Sequence, residues 1–295
     1  MNIISLSKGQ FENLKPANIP KEIINTEANM LEFNYKNKKY LIKCLFNLLG
    51  PSFANKLYTI EMLSANKEYL PSEFVLPCDL ISVRNEIKGF TIPELDMENL
   101  QIILKNPSID AEEKIFYLKS VGEILNNMKT IRKYSPVHEF YINDLHEGNF
   151  MVNPKNKDIK VIDLDSAKIA GNQTFASKYL SPSSLAAQSE SSKYVLTTGN
   201  NKIGYIRANE QTDLYCYNIM ILNYLYGSNV NNMSIDEFYK YLTYLNDLKI
   251  DKELINIFEN LLNNKPNQNP SNYLDTLTYT QIGKSNSHVY KLNCK

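Results

Sequence analysis

The sequence predicts an α+β protein in which a small β-rich lobe precedes a larger, mainly helical lobe. Apolar residues alternate through much of the first hundred positions, which is typical of strands. From about residue 97 they recur at the three- and four-residue spacing of amphipathic helices. The 295 residues allow one large domain or two lobes, and 43% hydrophobic against 22% charged residues is enough for a sizeable core.

The first lobe is predicted to contain a small antiparallel sheet with one helix. Its strands are predicted over 30–35, 40–45, 74–80 and 86–92, and its helix over 53–65. The first two strands form a hairpin, because residues 36–39 have the composition of a turn between two alternating segments. The helix follows from apolar residues at 53, 57, 60 and 63.

The second lobe begins with a long helix. Asp110 is a good N-cap, Glu113 follows three residues later, and an apolar stripe runs from Ile115 to Ile131. The remaining predicted elements are short extended pieces over 141–152 and 159–164, a helix starting at Thr212 or Asp213, and helices over 235–248 and 251–263. Residues 170–211 are predicted to be loop, and residues 278–295 a polar tail.

The composition excludes several classes of protein. Lys plus Arg and Asp plus Glu both number 32, so the chain lacks the basic excess of a dedicated nucleic-acid binder. No apolar run is long enough for a bilayer, which predicts no membrane partner and a cytoplasmic location. The four cysteines lie far apart without metal-ligand spacing, so neither a disulfide framework nor a zinc site is expected.

Two neighbouring segments carry the residues suited to chemistry. Ile142-Asn-Asp-Leu-His-Glu-Gly-Asn149 is predicted to be a loop between short strands, and the apolar strand that follows it ends at Asp163-Leu-Asp165. Carboxylate and amide oxygens are the ligands that Mg²⁺ prefers. The Asp-x-x-x-x-Asn spacing alone is weak evidence, because it recurs at 213–218 and 251–256 and because Asp and Asn also stabilise ordinary loops.

Five blocks, in their order and spacing, resemble the protein kinase family. They are Tyr40-Leu-Ile-Lys43, Ile142-Asn-Asp144 with Asn149, Asp163-Leu-Asp165, the segment from Glu210 to Gly227, and the segment from Phe258 to Ser271. The resemblance implies a bilobal protein-kinase-like fold with a nucleotide-binding lobe over 1–94, a catalytic helical lobe over 95–277 and a tail over 278–295. ATP would lie in the cleft between the lobes.

The same resemblance implies how the first lobe would bind ATP. Lys43 would contact the α- and β-phosphates, with Glu61 on the lobe's helix as its ion-pair partner and Glu68 as a weaker option. Both glutamates fit equally well as solvated helix residues. The backbone of the hinge would meet adenine, and its residues are Pro93, Glu94 and Leu95.

The catalytic residues implied by the resemblance come from the second lobe. Asp163 and Asn149 would bind Mg²⁺, with Mn²⁺ as a possible substitute, and Asp144 would accept the proton of the acceptor hydroxyl. His146, which stands where the family commonly has a lysine, would donate to the γ-phosphate or be exposed to water. Asp165 replaces the family's glycine and would be a further metal ligand or bond to nearby backbone.

Asp213 also matches the family pattern, whereas three other features of the sequence depart from it. Asp213 would hold the catalytic loop from below, cap its own helix, or do both. No glycine occurs over 23–29, where a phosphate-binding loop is expected, so the grip on the nucleotide must come from elsewhere. Asn143 replaces an arginine that usually pairs with a phosphorylated loop, and residues 183–212 form a hydroxyl-rich insertion.

The function expected from this resemblance is Mg²⁺- and ATP-dependent phosphorylation of Ser or Thr hydroxyls of protein, including those of the chain itself. Two alternatives stay open. One is a pseudokinase-like nucleotide-binding scaffold, favoured by the missing glycines. The other is a small-molecule phosphotransferase, because residues 144–149 also resemble the loop of aminoglycoside and choline kinases. The sequence identifies neither the protein substrate nor an oligomeric state.

Overall fold

The computed structural model describes residues 1–18, 29–45, 50–169, 171–172, 196–199, 202–205, 208–262 and 265–292. The predicted α+β class is confirmed: a mixed sheet occupies most of the first hundred residues, and long helices dominate the rest. No helix within these ranges is long and apolar enough to cross a membrane.

The main sheet has five strands. They are β1 (Ile3–Leu6), β2 (Met30–Tyr35), β3 (Lys38–Cys44), β4 (Leu80–Val83) and β5 (Glu86–Pro93). The order is β1-β4-β5-β3-β2, with β1 parallel to β4 and the other neighbours antiparallel. Lys36 and Asn37 join β2 to β3 with φ of 49° and 60°, the left-handed geometry that suits a tight hairpin. The predicted hairpin is confirmed.

A short helix, α1 (Lys8–Glu12), and a longer one, α2 (Pro51–Ala65), accompany the sheet. The structure confirms the helix predicted over 53–65. Ile60 of α2 packs in a cluster with Leu80 and Phe90 of the sheet, whereas Leu63 belongs to the large core of the helical part. Because these two side chains lie one turn apart on one face, α2 connects the sheet to the rest of the molecule.

The remaining strands are short. A three-stranded sheet has the order β6 (Glu98–Asn99), β8 (Phe150–Asn153) and β9 (Asp158–Val161). The strand β7 (Phe140–Tyr141) pairs with β10 (Lys168–Ile169), and β11 (Leu196–Gly199) pairs with β12 (Lys202–Tyr205). The loop 142–149 therefore leaves β7 and enters β8, which places it between the β7–β10 pair and the three-stranded sheet.

Within the described residues, six further helices form the second part of the fold. They are α3 (Leu100–Lys105), α4 (Ala111–Tyr134), α5 (Glu210–Tyr226), α6 (Ile235–Asp247), α7 (Lys252–Glu259) and α8 (Tyr279–Leu292). Asp110 caps α4 by accepting a 2.7 Å hydrogen bond from the Glu113 backbone, as predicted. The buried helix α5 packs against α4, and the Tyr217 hydroxyl donates to the Leu118 carbonyl at 2.7 Å.

Several elements differ from the sequence prediction. The main sheet is mixed and not antiparallel, because β1 pairs with β4 in parallel, and the loop predicted over 170–211 contains β11 and β12. The strand predicted over 74–80 is wrong, because β4 begins at Leu80 and the backbone of Val75 instead bonds to Val161 of β9. Arg84 and Asn85 both have positive φ and form the turn into β5, so the strand lies directly before them. The polar tail predicted from residue 278 contains α8, in which Ile282 is the buried apolar residue among the side chains that the structure describes.

Candidate active site

Lys43 lies on β3, which is flanked by β2 and β5. Its backbone is paired with Met30 on one side and Phe90 on the other. The neighbouring Gly89 permits this close packing, since a Cβ there would overlap the Lys43 carbonyl oxygen. Only 10% of the Lys43 side chain is exposed. A buried ammonium group needs anionic partners, so its surroundings decide whether it is stable.

Those partners are two carboxylates that lie more than a hundred positions later in the sequence. The Lys43 Nζ donates to Asp163, 120 positions away, and to Asp165 Oδ1 at 2.8 Å. The second oxygen of Asp165, Oδ2, accepts from Lys56 Nζ of α2 at 3.0 Å. The Asp165 side chain has no solvent exposure. We call these four residues the charged cluster; it contains two cations and two anions.

The structure corrects the partner expected for Lys43. Glu61 is exposed on α2, and Glu68 is exposed beyond the end of that helix. Lys56, Ile60 and Leu63 lie at i, i+4 and i+7, and this face is the one turned towards the site and the core. Glu61 falls outside that stripe. The described ion pairs therefore place a lysine of the helix, and no glutamate, in the cluster.

Asp163 and Asp165 are not on one strand, which is a second correction. Strand β9 ends at Val161, Asp163 adopts the left-handed conformation with φ 62°, and a short 3-10 turn covers Leu164–Ser166. The turn nevertheless brings both carboxylates to Lys43. Asp and Asn tolerate this backbone conformation better than most residues, which is a local reason for an aspartate at position 163.

Burial and neighbouring charges shift the pKa values of Asp163 and Asp165 in opposite directions. Burial disfavours the charged forms, but Asp163 and Asp165 together outweigh it and raise the pKa of Lys43 above its ordinary value. Burial also opposes ionisation of Asp165, yet Lys43 and Lys56 hold the pKa of that carboxyl well below its usual range. Burial, despite Lys43, raises the pKa of Asp163 to about 7. Asp165 thus carries the fixed negative charge, and 19% of the Asp163 side chain remains exposed.

The loop 142–149 is held by its own polar groups. The Asn149 side chain donates through Nδ2 to the Asp144 carbonyl at 2.8 Å. The backbone of Gly148 donates to His146 Nδ1 at 3.1 Å, so that nitrogen is an acceptor and a neutral ring carries its proton on Nε2. That Nε2 lies 3.7 Å from Asp144 Oδ2. The sequence expectation for His146 concerned a phosphate, whereas here its ring faces Asp144.

Two bonds join this loop to the segment that carries Asp163. The Ile162 backbone donates to the Asn149 carbonyl at 2.9 Å, and the Asn143 side chain donates to the Ser166 carbonyl at 3.0 Å. Asn143 has a φ of 65°, which asparagine adopts at little cost. These bonds place the residues predicted for catalysis and for metal binding on adjoining pieces of backbone.

Asp213 anchors the loop from α5. Its two carboxylate oxygens accept from the backbone of Ile142 at 2.9 Å and of Asn143 at 2.8 Å. Asn209, and not Thr212 or Asp213, is the N-cap of α5. Burial raises the pKa of Asp213 to about 7, and the two backbone donors oppose a further rise.

Sequence reasoning missed four residues where α2 meets the segment after Asp163: Lys56 and Thr59 of α2, and Lys168 and Asn172 of that segment. Beside Lys56, the Thr59 hydroxyl accepts a 2.6 Å bond from Asn172 Nδ2. The Asn172 carbonyl in turn accepts from the buried Lys168 Nζ at 2.7 Å. The sequence signal that could have identified Lys56 was its position in line with Ile60 and Leu63, on the otherwise apolar face of α2.

The predicted hinge follows β5 directly. Pro93 has no N–H and pairs with Tyr40 at the end of the sheet, and the Glu94 N–H donates to the Lys39 carbonyl at 3.3 Å. Leu95 is therefore the residue of this segment whose N–H is open to a ligand within the described structure. The segments 23–28 and most of 183–207 lie outside the described residues, and with them the expected phosphate loop and most of the insertion.

The side chains suit a hard cation only in part. Asp163 offers a partly exposed carboxylate, and Asn149 uses its amide nitrogen internally, which leaves its oxygen as a ligand. Both oxygens of Asp165 are bonded to lysines, so it fits a metal only if a lysine leaves. Within the described ranges no group of three or more Asp, Glu, His or Cys residues is arranged to hold a metal by itself.

The sequence was compared with protein-family models and with curated proteins. No family model matches this sequence, and no curated protein sequence matches it significantly.

Proposed function

We propose that this chain is an ATP- and Mg²⁺-dependent phosphotransferase of the protein kinase type, with a bilobal kinase-like arrangement and Ser or Thr hydroxyls of protein as acceptors. One observation carries the proposal. Lys43 of β3 meets Asp163, 120 positions later, beside a loop that presents Asp144 and Asn149. Phosphoryl transfer needs a cation for the phosphates, oxygen ligands for Mg²⁺ and a carboxylate for the acceptor hydroxyl.

Each group has a task that its surroundings support. Lys43 binds the α- and β-phosphates as a point charge. Mg²⁺ would be held by Asp163 and Asn149, and it supplies neutralisation of the phosphate charge. Asp144 orients the acceptor hydroxyl and accepts its proton, while His146 Nε2 lies 3.7 Å from the same carboxylate. Asp213 keeps the loop in place through two backbone bonds.

One alternative gains support from a specific contact. Gly148 lies against His146, where a Cβ would come within 2.9 Å of the ring. The loop Asp144-Leu-His-Glu-Gly-Asn149 thus packs both residues together, and its resemblance to the loop of aminoglycoside and choline kinases implies a small alcohol as acceptor. The scaffold alternative is separated from both enzymes by the absence of transfer.

The test is transfer of labelled γ-phosphate from ATP, with Mg²⁺ or Mn²⁺, to the chain itself, to peptides and to small alcohols. Asp144→Asn is expected to lower the rate by about 100-fold or more, as loss of a general base does. Asp163→Asn, which preserves the left-handed backbone, is expected to lower it by about 1000-fold. Lys88→Met is the matched control, because Lys88 pairs with Glu86 on the sheet surface.

Transfer that survives in both aspartate variants contradicts the proposed roles. No transfer by the wild type under either metal, with ATP still bound, contradicts the enzyme and favours the scaffold. Label on small alcohols but not on peptides assigns the second type of phosphotransferase.

A further inference from the structure

The carboxylate of Asp165 is shared between two lysines from different elements. One oxygen accepts from Lys43 of β3 at 2.8 Å, and the other accepts from Lys56 of α2 at 3.0 Å. The Asp165 side chain is fully buried, while Lys56 and Lys43 are 13% and 10% exposed. Water therefore has little access to this bridge, and its geometry is set by the two lysines.

A carboxylate is planar, so its two oxygens cannot move independently. A displacement of Lys56 Nζ turns or shifts the Asp165 group, and the oxygen that bonds Lys43 moves with it. The bond between Thr59 and Asn172, one turn further along α2, holds the helix against the same segment at a second point. The position of α2 is thereby coupled to the position of the Lys43 ammonium.

Charge balance gives Lys56 a second effect. Lys43 faces two carboxylates, and two unshared anions would hold its ammonium so strongly that it could not serve a phosphate well. Lys56 takes up part of the negative charge of Asp165 and so limits this hold. The resemblance to protein kinases implies an acid on this helix; the helix here presents a cation, and the acid comes from Asp163-Leu-Asp165.

We propose that Lys56 is a positioning residue for Lys43, acting through Asp165, and that α2 sets the phosphate-binding position of Lys43 by this bridge. The proposal rests on the proposed function for its consequence in ATP use. Asp165 is then a bridging residue and not a metal ligand. Lys56 acts through its contact with Asp165, so its effect on ATP requires the Asp165 carboxylate.

The test is a double-mutant cycle of Lys56→Met and Asp165→Asn, with KM for ATP and kcat measured for each. Lys56→Met is expected to raise KM about tenfold with kcat changed less than about threefold, which is within the range of coupled neighbouring residues. In the Asp165→Asn background the same change is expected to alter KM less than about twofold. Lys56→Arg retains charge and donors and is expected to restore KM.

Lys88→Met serves as the lysine control here too. An equal effect of Lys56→Met in both backgrounds overturns the proposal, as does an unchanged KM or a failure of Lys56→Arg to restore it. A general loss of folding would lower kcat in proportion to the active fraction and leave KM unchanged. A rise in KM therefore indicates displacement of Lys43 and not unfolding.

Urea unfolding of the same four proteins separates this proposal from the proposed function. If the wild type transfers no phosphate, the proposed function fails, and the bridge is judged by unfolding alone. Non-additive losses of stability support the Lys56–Asp165 link, and additive losses overturn it.

Discussion

The charged cluster and the loop 142–149 are neighbours held by different forces. The cluster is assembled from side-chain charges on β3, α2 and the turn after β9. The loop is held mainly by neutral donors, through backbone N–H groups to Asp213 and through the side chains of Asn143 and Asn149. Buried charges are stable only as a complete set, whereas each hydrogen bond of the loop contributes largely by itself.

This difference gives the side chains of the charged cluster more freedom to move than the backbone of the loop 142–149. Under the proposed function, Lys43 and Asp163 exchange ionic partners and turn towards phosphate and metal while Asp165 and Lys56 remain paired. The same proposal requires the Asp144 carboxylate to stay at a fixed place, and its backbone is bonded from both sides. Substitutions in the two regions test this difference, with expected losses of stability that range from about 3–5 kcal/mol to below about 0.5 kcal/mol.

Removing the shared carboxylate should destabilise the fold most. Asp165→Ala leaves two lysines buried against one anion, and we expect a loss of about 3–5 kcal/mol in the free energy of urea unfolding. Replacing Lys43 and Lys56 by Met and Asp165 by Leu in the same chain should recover much of that loss, because apolar groups need no partner. A loss below about 1 kcal/mol for Asp165→Ala would contradict the cluster's interdependence.

Changing the loop anchor should cost less. Asp213→Asn turns an amide nitrogen towards one of two backbone donors, and we expect a loss of about 2 kcal/mol in unfolding free energy. The sign of the pH effect follows from the pKa of about 7 in the folded chain against 3.8. The folded wild type retains a proton that the unfolded chain has already lost, so ionisation of Asp213 lowers stability as pH rises through this window.

The variant lacks that ionisation. Its Tm should therefore fall less than that of the wild type between about pH 5 and about pH 8 in parallel thermal scans. Identical pH profiles would show that Asp213 is ionised at the same pH in both states of the chain.

A single methyl group should disturb His146 without touching the charges. Gly148→Ala places a Cβ within 2.9 Å of the His146 ring, so we expect the ring to move and its distance from Asp144 to change. We expect a free energy of unfolding about 1 kcal/mol lower and phosphate transfer about tenfold slower. Restoration of the rate by an additional His146→Ala change would indicate that the ring obstructs in the variant; no effect of Gly148→Ala would show that the ring position is unimportant.

The smallest effect is expected at the predicted partner of Lys43. Glu61 is exposed on the outward side of α2, so Glu61→Gln should change unfolding free energy by less than about 0.5 kcal/mol. KM for ATP should stay within about twofold. A tenfold rise would restore Glu61 as the functional partner and weaken the case for Lys56.

The sequence could predict the residues whose roles depend on local pattern. The hairpin, α2 and α4 follow from alternation, helical spacing and an N-cap, and the loop and strand segments bring Asp144, Asn149 and Asp163 to attention by their order. Short elements such as β1 and α1 escaped because four or five residues carry too little periodicity.

The charged cluster could not be predicted in the same way. Lys56 and Asp165 are 109 positions apart, and their pairing depends on which side of α2 faces the core. The family resemblance directed attention to a glutamate on that helix, although Lys56 was already on the stripe of Ile60 and Leu63. The strand assumed for 163–165 also concealed the turn that lets both carboxylates reach one lysine.

The long separation between the partners of the cluster has a consequence for folding. Lys43 and Lys56 are made more than a hundred positions before Asp163 and Asp165, and closing such a loop carries a large entropic cost. The local β2–β3 and β4–β5 hairpins can form early, while the lysines remain hydrated. The ion pairs form only after the segment that carries Asp163 and Asp165 has been synthesised. During translation the sheet can therefore form before the charged cluster.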